Sequence, residues 1–310
     1  AGTVAVYNYK TGEILCMVSA PSFDPLHVPE DIETNDRYQG AYLNRFLTAS
    51  FTPGSVYKTV TLAAALETVP DLESRTWNCT GRIELGGDLV VCSGVHGEQR
   101  IGDAFANSCN VVFAELAVEL GADTLKRYTE QAGLTSRYSV DGLPTAKGSF
   151  SWEGMDEGRL GWAGVGQDQN LVNPCALMVY MGAVANGGKA AEPYLILKTK
   201  NALGVSSLPH VTRHTDALVS AQTAEALAEL LGDIVAKAYV QKRFPNMDLC
   251  AKSGTAEVGE GKEPHAWFAG FLRNEDAPYA FVALVENGGS GSTVAGTVAG
   301  RVLDTIVNGY

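Results

Sequence analysis

Apolar residues recur along this chain with two periods, and together these outline its elements. Residues 3 to 9 and 13 to 19 alternate on either side of Lys10-Thr11-Gly12, which predicts a β-hairpin ended by Ala20-Pro21. Residues 55 to 69 carry Val56, Val60, Ala63, Ala64 and Leu66 at helical spacing, and Pro53-Gly54 forces a sharp turn into that helix. A helix starting near 110 follows from Val111, Val112, Phe113, Leu116 and Ala117. Further helices are expected over 122 to 132, from Asn173-Pro174 to Asn186-Gly187-Gly188, over 219 to 238 and over 292 to 307. Strand patterns lie near 193 to 199, at Ala251 to Ala256, at Ala266 to Phe271 and at Tyr279 to Val285. The last three have short connections, which argues for an antiparallel sheet and an α+β class. Residues 26 to 50 read as irregular, 70 to 102 as short strands and Gly-rich turns, and the stretch up to about 172 as irregular. That last stretch contains Trp152, Trp162 and the run Gly161 to Gln167, and so long an irregular segment in a compact fold is expected to wall a functional site.

Three short segments carry the candidate chemistry. Ser55-Val56-Tyr57-Lys58 puts a hydroxyl at a helix N-terminus and an amine three residues on, on the same face, as a nucleophile and base require. Ser108-Cys109-Asn110 offers a hydroxyl that can relay a proton and an amide that can hold a carbonyl, at a position where Ser and Asn also serve as helix caps. Lys252-Ser253-Gly254-Thr255 opens a strand, and its glycine suggests that something, expected to be substrate, approaches the backbone closely there.

Composition narrows the class further. A net charge of −12, from 23 basic and 35 acidic residues, argues against nucleic acid as a partner. Six cysteines form no Cys-x-x-Cys pair and no Cys/His spacing typical of zinc, so neither a metal nor a cofactor is expected. Cys79 and Cys92 flank an apparent hairpin through Gly86-Gly87 and could be bridged, but a two-residue turn there would set Cys92 opposite Gly81. The other cysteines read as small buried hydrophobes. No run of 18 or more apolar residues occurs. The chain opens abruptly in a strand, which suggests one domain over residues 1 to 310 excised from behind an N-terminal region and anchor.

The triplet Ser55-x-x-Lys58, Ser108-x-Asn110 and Lys252-Ser253-Gly254 resembles the signature of penicillin-binding proteins and serine β-lactamases. The whole chain resembles the transpeptidase domain of a class B, high-molecular-weight penicillin-binding protein. Pro21-Ser22-Phe23-Asp24-Pro25, Asn44-Arg45, Gly164-Val165-Gly166-Gln167 and Trp267-Phe268-Ala269-Gly270-Phe271 are also family-like. It departs in having Cys109 at the centre of the second motif, and Ser253 where Thr is common.

The resemblance implies an antiparallel sheet of about five strands, built from the N-terminal hairpin and the C-terminal strands and covered by helices, with a mostly helical subdomain beside it. It also implies a peptidoglycan D,D-transpeptidase. Ser55 would attack D-Ala-D-Ala and form an acyl-enzyme, Lys58 would act as base, and Ser108 with Lys252 would handle the leaving-group proton. Asn110, Ser253, Gly254 and Thr255 would bind substrate, and the backbone N–H groups of Ser55 and Thr255 would form an oxyanion hole. Implied partners are stem peptides, β-lactam antibiotics, a membrane glycosyltransferase and division or elongation proteins, at the outer face of the cytoplasmic membrane. A D,D-carboxypeptidase, a serine β-lactamase and a non-catalytic penicillin sensor are the alternatives. Glu153 and Glu157 read as solvated loop charges, which leaves no evident base for water.

Overall fold

The computed structural model describes residues 1–207, 209–239 and 244–309. The predicted hairpin forms as β1 (Gly2–Asn8) and β2 (Ile14–Ala20), antiparallel with Val4 opposite Val18. Chain-order elements then run through α1 (Lys58–Thr68), β3 (Trp77–Cys79), β4 (Arg82–Leu85), β5 (Asp88–Val91), β6 (Gly97–Gln99) and α2 (Ile101–Ala106). Next come α3 (Asn110–Gln131), β7 (Ser139–Val140), β8 (Leu143–Pro144), α4 (Glu157–Val165), α5 (Pro174–Ala185) and α6 (Ala221–Ala238). The chain closes with β9 (Leu249–Ala256), β10 (His265–Leu272), β11 (Tyr279–Val285) and α7 (Gly296–Asn308).

Five strands form one antiparallel sheet in the order β2-β1-β11-β10-β9. Because side chains alternate along a strand, each face of the sheet supplies its own core. Val4, Val6, Phe268, Phe281 and Ala283 pack with Leu303 and Ala299 of α7. Ala5, Tyr7, Ala269, Phe271, Val282 and Leu284 pack with α5 and α6 on the other side. Residues 174 to 184 of α5 are buried all round, as its unbroken apolar sequence requires, and Asn173 caps its first turn through Ala176 N. This is the expected α+β architecture, with β9 as an edge strand.

The differences from the expected elements are informative. The segment before α1 is a 3-10 turn, Gly54–Tyr57, so Ser55 precedes the α-helix proper. The helices expected near 110 and over 122 to 132 are one element bent at Gly121, which has φ 76°. The stretch expected to be irregular up to 172 contains α4, capped by the Asp156 carboxylate and ended by Gly166 in the left-handed region. Its glycines at 158, 161 and 164 weaken a helical reading, but they allow close packing: a Cβ on Gly164 would lie 2.2 Å from Ala117 Cβ of α3. Residues 193 to 199 make no strand: Tyr194 bridges to Glu13 at the hairpin, the Leu195 and Ile196 N–H groups go to the Asp141 carboxylate, and Leu195, Ile196 and Leu197 are exposed.

The hairpin through Gly86-Gly87 forms as expected, with Leu85 opposite Asp88 and Cys92 N donating to Gly81 O at 2.9 Å. Both glycines have positive φ, 58° and 92°, as this two-residue turn demands. Cys79 and Cys92 are not bridged, and all six cysteines are free thiols.

Candidate active site

Ser55 sits on a turn held between two backbones. Gly54 N donates to Gly166 O at 2.8 Å, at the C-terminal end of α4. Gly54 itself has φ 55°, and a Cβ there would come within 2.9 Å of Thr255 O on β9. A Cβ on Gly254 would meet Pro53 O at 2.8 Å, so this glycine makes room for the Ser55 turn. That corrects the expectation that substrate approaches here. The adjacent Trp267 fixes the approach by donating its indole N–H to Thr52 O at 2.9 Å.

The second motif meets the first through Lys58. Its Nζ, fully buried, donates to Ser108 O (2.6 Å) and Asn110 Oδ1 (2.7 Å) and lies 3.3 Å from Ser108 Oγ. From the opposite side Lys252 Nζ, equally buried, donates to Ser108 Oγ at 2.9 Å and to Ser253 O at 3.0 Å. One serine hydroxyl therefore joins two amines from segments 194 residues apart (252 − 58). Ser108 adopts φ 52°, the strained left-handed region for a residue with a side chain, at the step into α3. Aromatic rings support both ammonium groups: Phe113 lies 5.4 Å from Lys58 Nζ and Phe105 5.9 Å from Lys252 Nζ.

Burial away from water disfavours charge on both amines. Desolvation lowers Lys58 to about 7, partly opposed by the nearby sulfurs of Cys92 and Cys109. Lys252 is pushed well below the ordinary lysine value by desolvation and then by repulsion from Lys58.

The groups open onto one cleft of about 500 Å³, whose lining includes Ser55, Ser108, Asn110, Ser253 and Thr255 but not Gly254. Trp162, Val165 and Gln167 from the end of α4 form the facing wall, so the stretch expected to wall a site does so as a helix. Asn110 already gives Nδ2–H to Val91 O at 2.8 Å, and a second amide proton remains for a ligand.

Two contributors escaped sequence reasoning. Half-buried Tyr239 at the end of α6 receives the Ser253 N–H at 2.9 Å and bonds Ser253 Oγ at 2.8 Å, which holds the β9 edge in place. Glu257, one residue past β9, lines the cleft mouth and is a carboxylate the sequence reading did not weigh, whereas Glu153 and Glu157 are exposed as expected. No local pattern marks Tyr239; its partner is 14 residues away.

The cysteines depart most from expectation. Cys79, Cys92, Cys109 and His96 come together with their donor atoms within 4.8 Å of one another, so Cys79 and Cys92, weighed as a bridged pair, and Cys109, read as a small buried hydrophobe, share one cluster. The donors converge only through hairpin pairing, so no sequence spacing announced them.

A serine on a strained turn, a second serine bridging two buried lysines, and a Lys-Ser-Gly edge strand define the class of active-serine proteins with three such motifs. The chain belongs to the penicillin binding protein transpeptidase domain family, which it matches over residues 2–307. It is 30% identical over 327 residues to peptidoglycan D,D-transpeptidase PbpA of Mycolicibacterium smegmatis, covering 95% of this chain and 64% of that protein. Among solved structures it is similar to the ceftriaxone acyl-enzyme complex of penicillin-binding protein A from M. tuberculosis. There the TM-score is 0.90 at 28% identity, over 99% of this chain and 74% of the other. It also resembles a chain of a peptidoglycan synthase complex that coordinates polymerization and crosslinking, with TM-score 0.82, 26% identity, and 98% of this chain and 55% of that one covered. This chain thus spans somewhat less than two thirds of the length of the PbpA relative.

Proposed function

We propose that the chain is the catalytic domain of a peptidoglycan D,D-transpeptidase that β-lactams acylate at Ser55. The observation that carries this reading is the Ser108 hydroxyl set between the Lys58 and Lys252 amines beside Ser55 in one cleft. Lys58, with an amine pKa near neutrality, takes the Ser55 proton as Oγ attacks the penultimate D-Ala carbonyl carbon. Its two shortest N–H bonds, to Ser108 O and Asn110 Oδ1, hold the amine while its lone pair receives that proton.

The oxyanion forms against the Ser55 and Thr255 N–H groups, and collapse breaks the C–N bond. The D-Ala nitrogen leaves with a proton relayed through Ser108, whose hydroxyl Lys252 polarises. An acceptor amine from a second stem peptide then attacks the ester, and Ser55 departs with its proton restored.

The outer edge of β9, where Tyr239 takes the Ser253 N–H, offers its remaining main-chain groups to an extended peptide, and Ser253 and Thr255 supply hydroxyls for its terminal carboxylate, as they would for that of a β-lactam. Among the described residues no helix is long and apolar enough to cross a membrane. By analogy with its relatives, the domain works at the outer face of the cytoplasmic membrane, held by a segment outside this chain, alongside a glycosyltransferase and division or elongation proteins.

Intact-mass measurement after exposure to benzylpenicillin, with peptide mapping, tests the assignment: a stable adduct on Ser55 is expected, and none in Ser55→Ala. An adduct elsewhere, or persisting in that variant, rejects Ser55. A burst of nitrocefin hydrolysis followed by near silence is the transpeptidase outcome; sustained turnover would instead make the chain a β-lactamase.

A further inference from the structure

The Cys79, Cys92, His96 and Cys109 cluster has metal-site geometry. Four separate segments supply the donors: the end of β3, the residue after β5, the loop before β6, and the residue between Ser108 and Asn110. Cys92 Sγ lies 3.8 Å from Cys109 Sγ and 3.6 Å from His96 Nδ1. Zinc–sulfur and zinc–nitrogen bonds of ordinary length, placed tetrahedrally, give edges of about 3.8 Å for S···S and about 3.6 Å for S···N. The sulfurs are too far apart to be bonded, since a disulfide needs about 2.05 Å. Cys79 and Cys109 are fully buried, and Asn110 N–H points at Cys92 Sγ from 3.2 Å, the kind of contact that stabilises a thiolate ligand.

We propose that these four residues bind one zinc ion in a closed Cys3His site whose purpose is to fix the Ser108-Cys109-Asn110 loop. Three thiolates and an imidazole select a thiophilic metal, and four protein donors leave no open position, so the role is structural. Binding releases the thiol protons to solvent. The segment it would staple, β3 to β6, is two small two-stranded pairings, too little sheet to be rigid alone. Its fourth ligand lies inside the catalytic motif, so the metal would hold the backbone that presents Ser108 and Asn110.

Elemental mass spectrometry on the protein purified under reducing conditions without chelator tests this. About one zinc per chain is expected, along with the intense visible bands of tetrahedral cobalt–thiolate coordination after exchange with Co2+. Cys79→Ser and His96→Ala, checked for folding by circular dichroism, are expected to lose affinity by at least ~10-fold, while Cys16→Ser keeps it. Ser55→Ala is expected to keep the metal, which separates this test from that of the acyl-enzyme. Wild-type protein that stays metal-free after zinc reconstitution, or that carries a disulfide within the cluster by intact mass, overturns the proposal whatever the variants do.

Discussion

Ser108 is approached by a buried amine on either side, and in the mechanism proposed above the protonation of the lysines sets the rate of acylation. Because burial lowers Lys58 to about 7, its neutral, proton-accepting form grows as pH rises through that value. The second-order rate of acylation by benzylpenicillin should therefore climb about tenfold per pH unit below 7 and level off above it, as stopped-flow or quenched labelling would show. Lys58→Arg, which stays charged, should abolish labelling at every pH. Tyr239→Phe removes the acceptor of the Ser253 N–H and is expected to slow acylation about tenfold with little change in fold; unchanged labelling would deny that the hydroxyl positions the strand edge. The motif residues were legible in the sequence because each motif is a local string with a rare order. Tyr239 was not legible, since a long-range hydrogen bond leaves no periodic trace, and Gly254 was assigned to the wrong neighbour because spacing does not say which backbone comes close.

At the level of elements, the helix α4 shows why a glycine-rich string can mislead. Its glycines lower helix propensity, yet they are what lets α4 lie against α3. Gly164→Val should push the two helices apart and cost about 2–4 kcal/mol by chemical denaturation, judged by the usual cost of overfilling a core and more. Ala117→Gly in the same chain should recover part of that loss, and a double-mutant cycle that came out additive would show that the two do not touch. The strands β1, β2 and β9 to β11 were readable from hydrophobic patterning, and the evenly apolar α5 from the Asn173-Pro174 start and the glycines that follow it. The 3-10 turn at Ser55 and the exposed segment at 193 to 199 were not, because one is set by packing from outside and the other is held by a single bridge and a side-chain carboxylate in place of a strand ladder.

Across the whole molecule, the joining of the N-terminal hairpin and the C-terminal strands in one sheet could not be read from periodicity and entered through family resemblance, and the pairing of β1 with β11 bears it out. The same scale explains Arg45, legible only as part of a family-like string: its guanidinium pairs with Glu286 at the end of β11 and donates to Gly40 O at 2.9 Å, tying the irregular 26 to 50 segment to the sheet. Arg45→Met should cost about 2 kcal/mol in denaturant unfolding, less than a fully buried pair because Glu286 is partly exposed. The clamp of Gly166 and Gly254 around the Ser55 turn has a consequence for how such a protein can change under drug pressure. With backbone on both sides of the nucleophile, no side chain can be enlarged there without losing the fold, so escape from antibiotics has to be sought at the rim. Selection for poor labelling should return substitutions at Trp162, Gln167 or Glu257, and leave the glycines untouched.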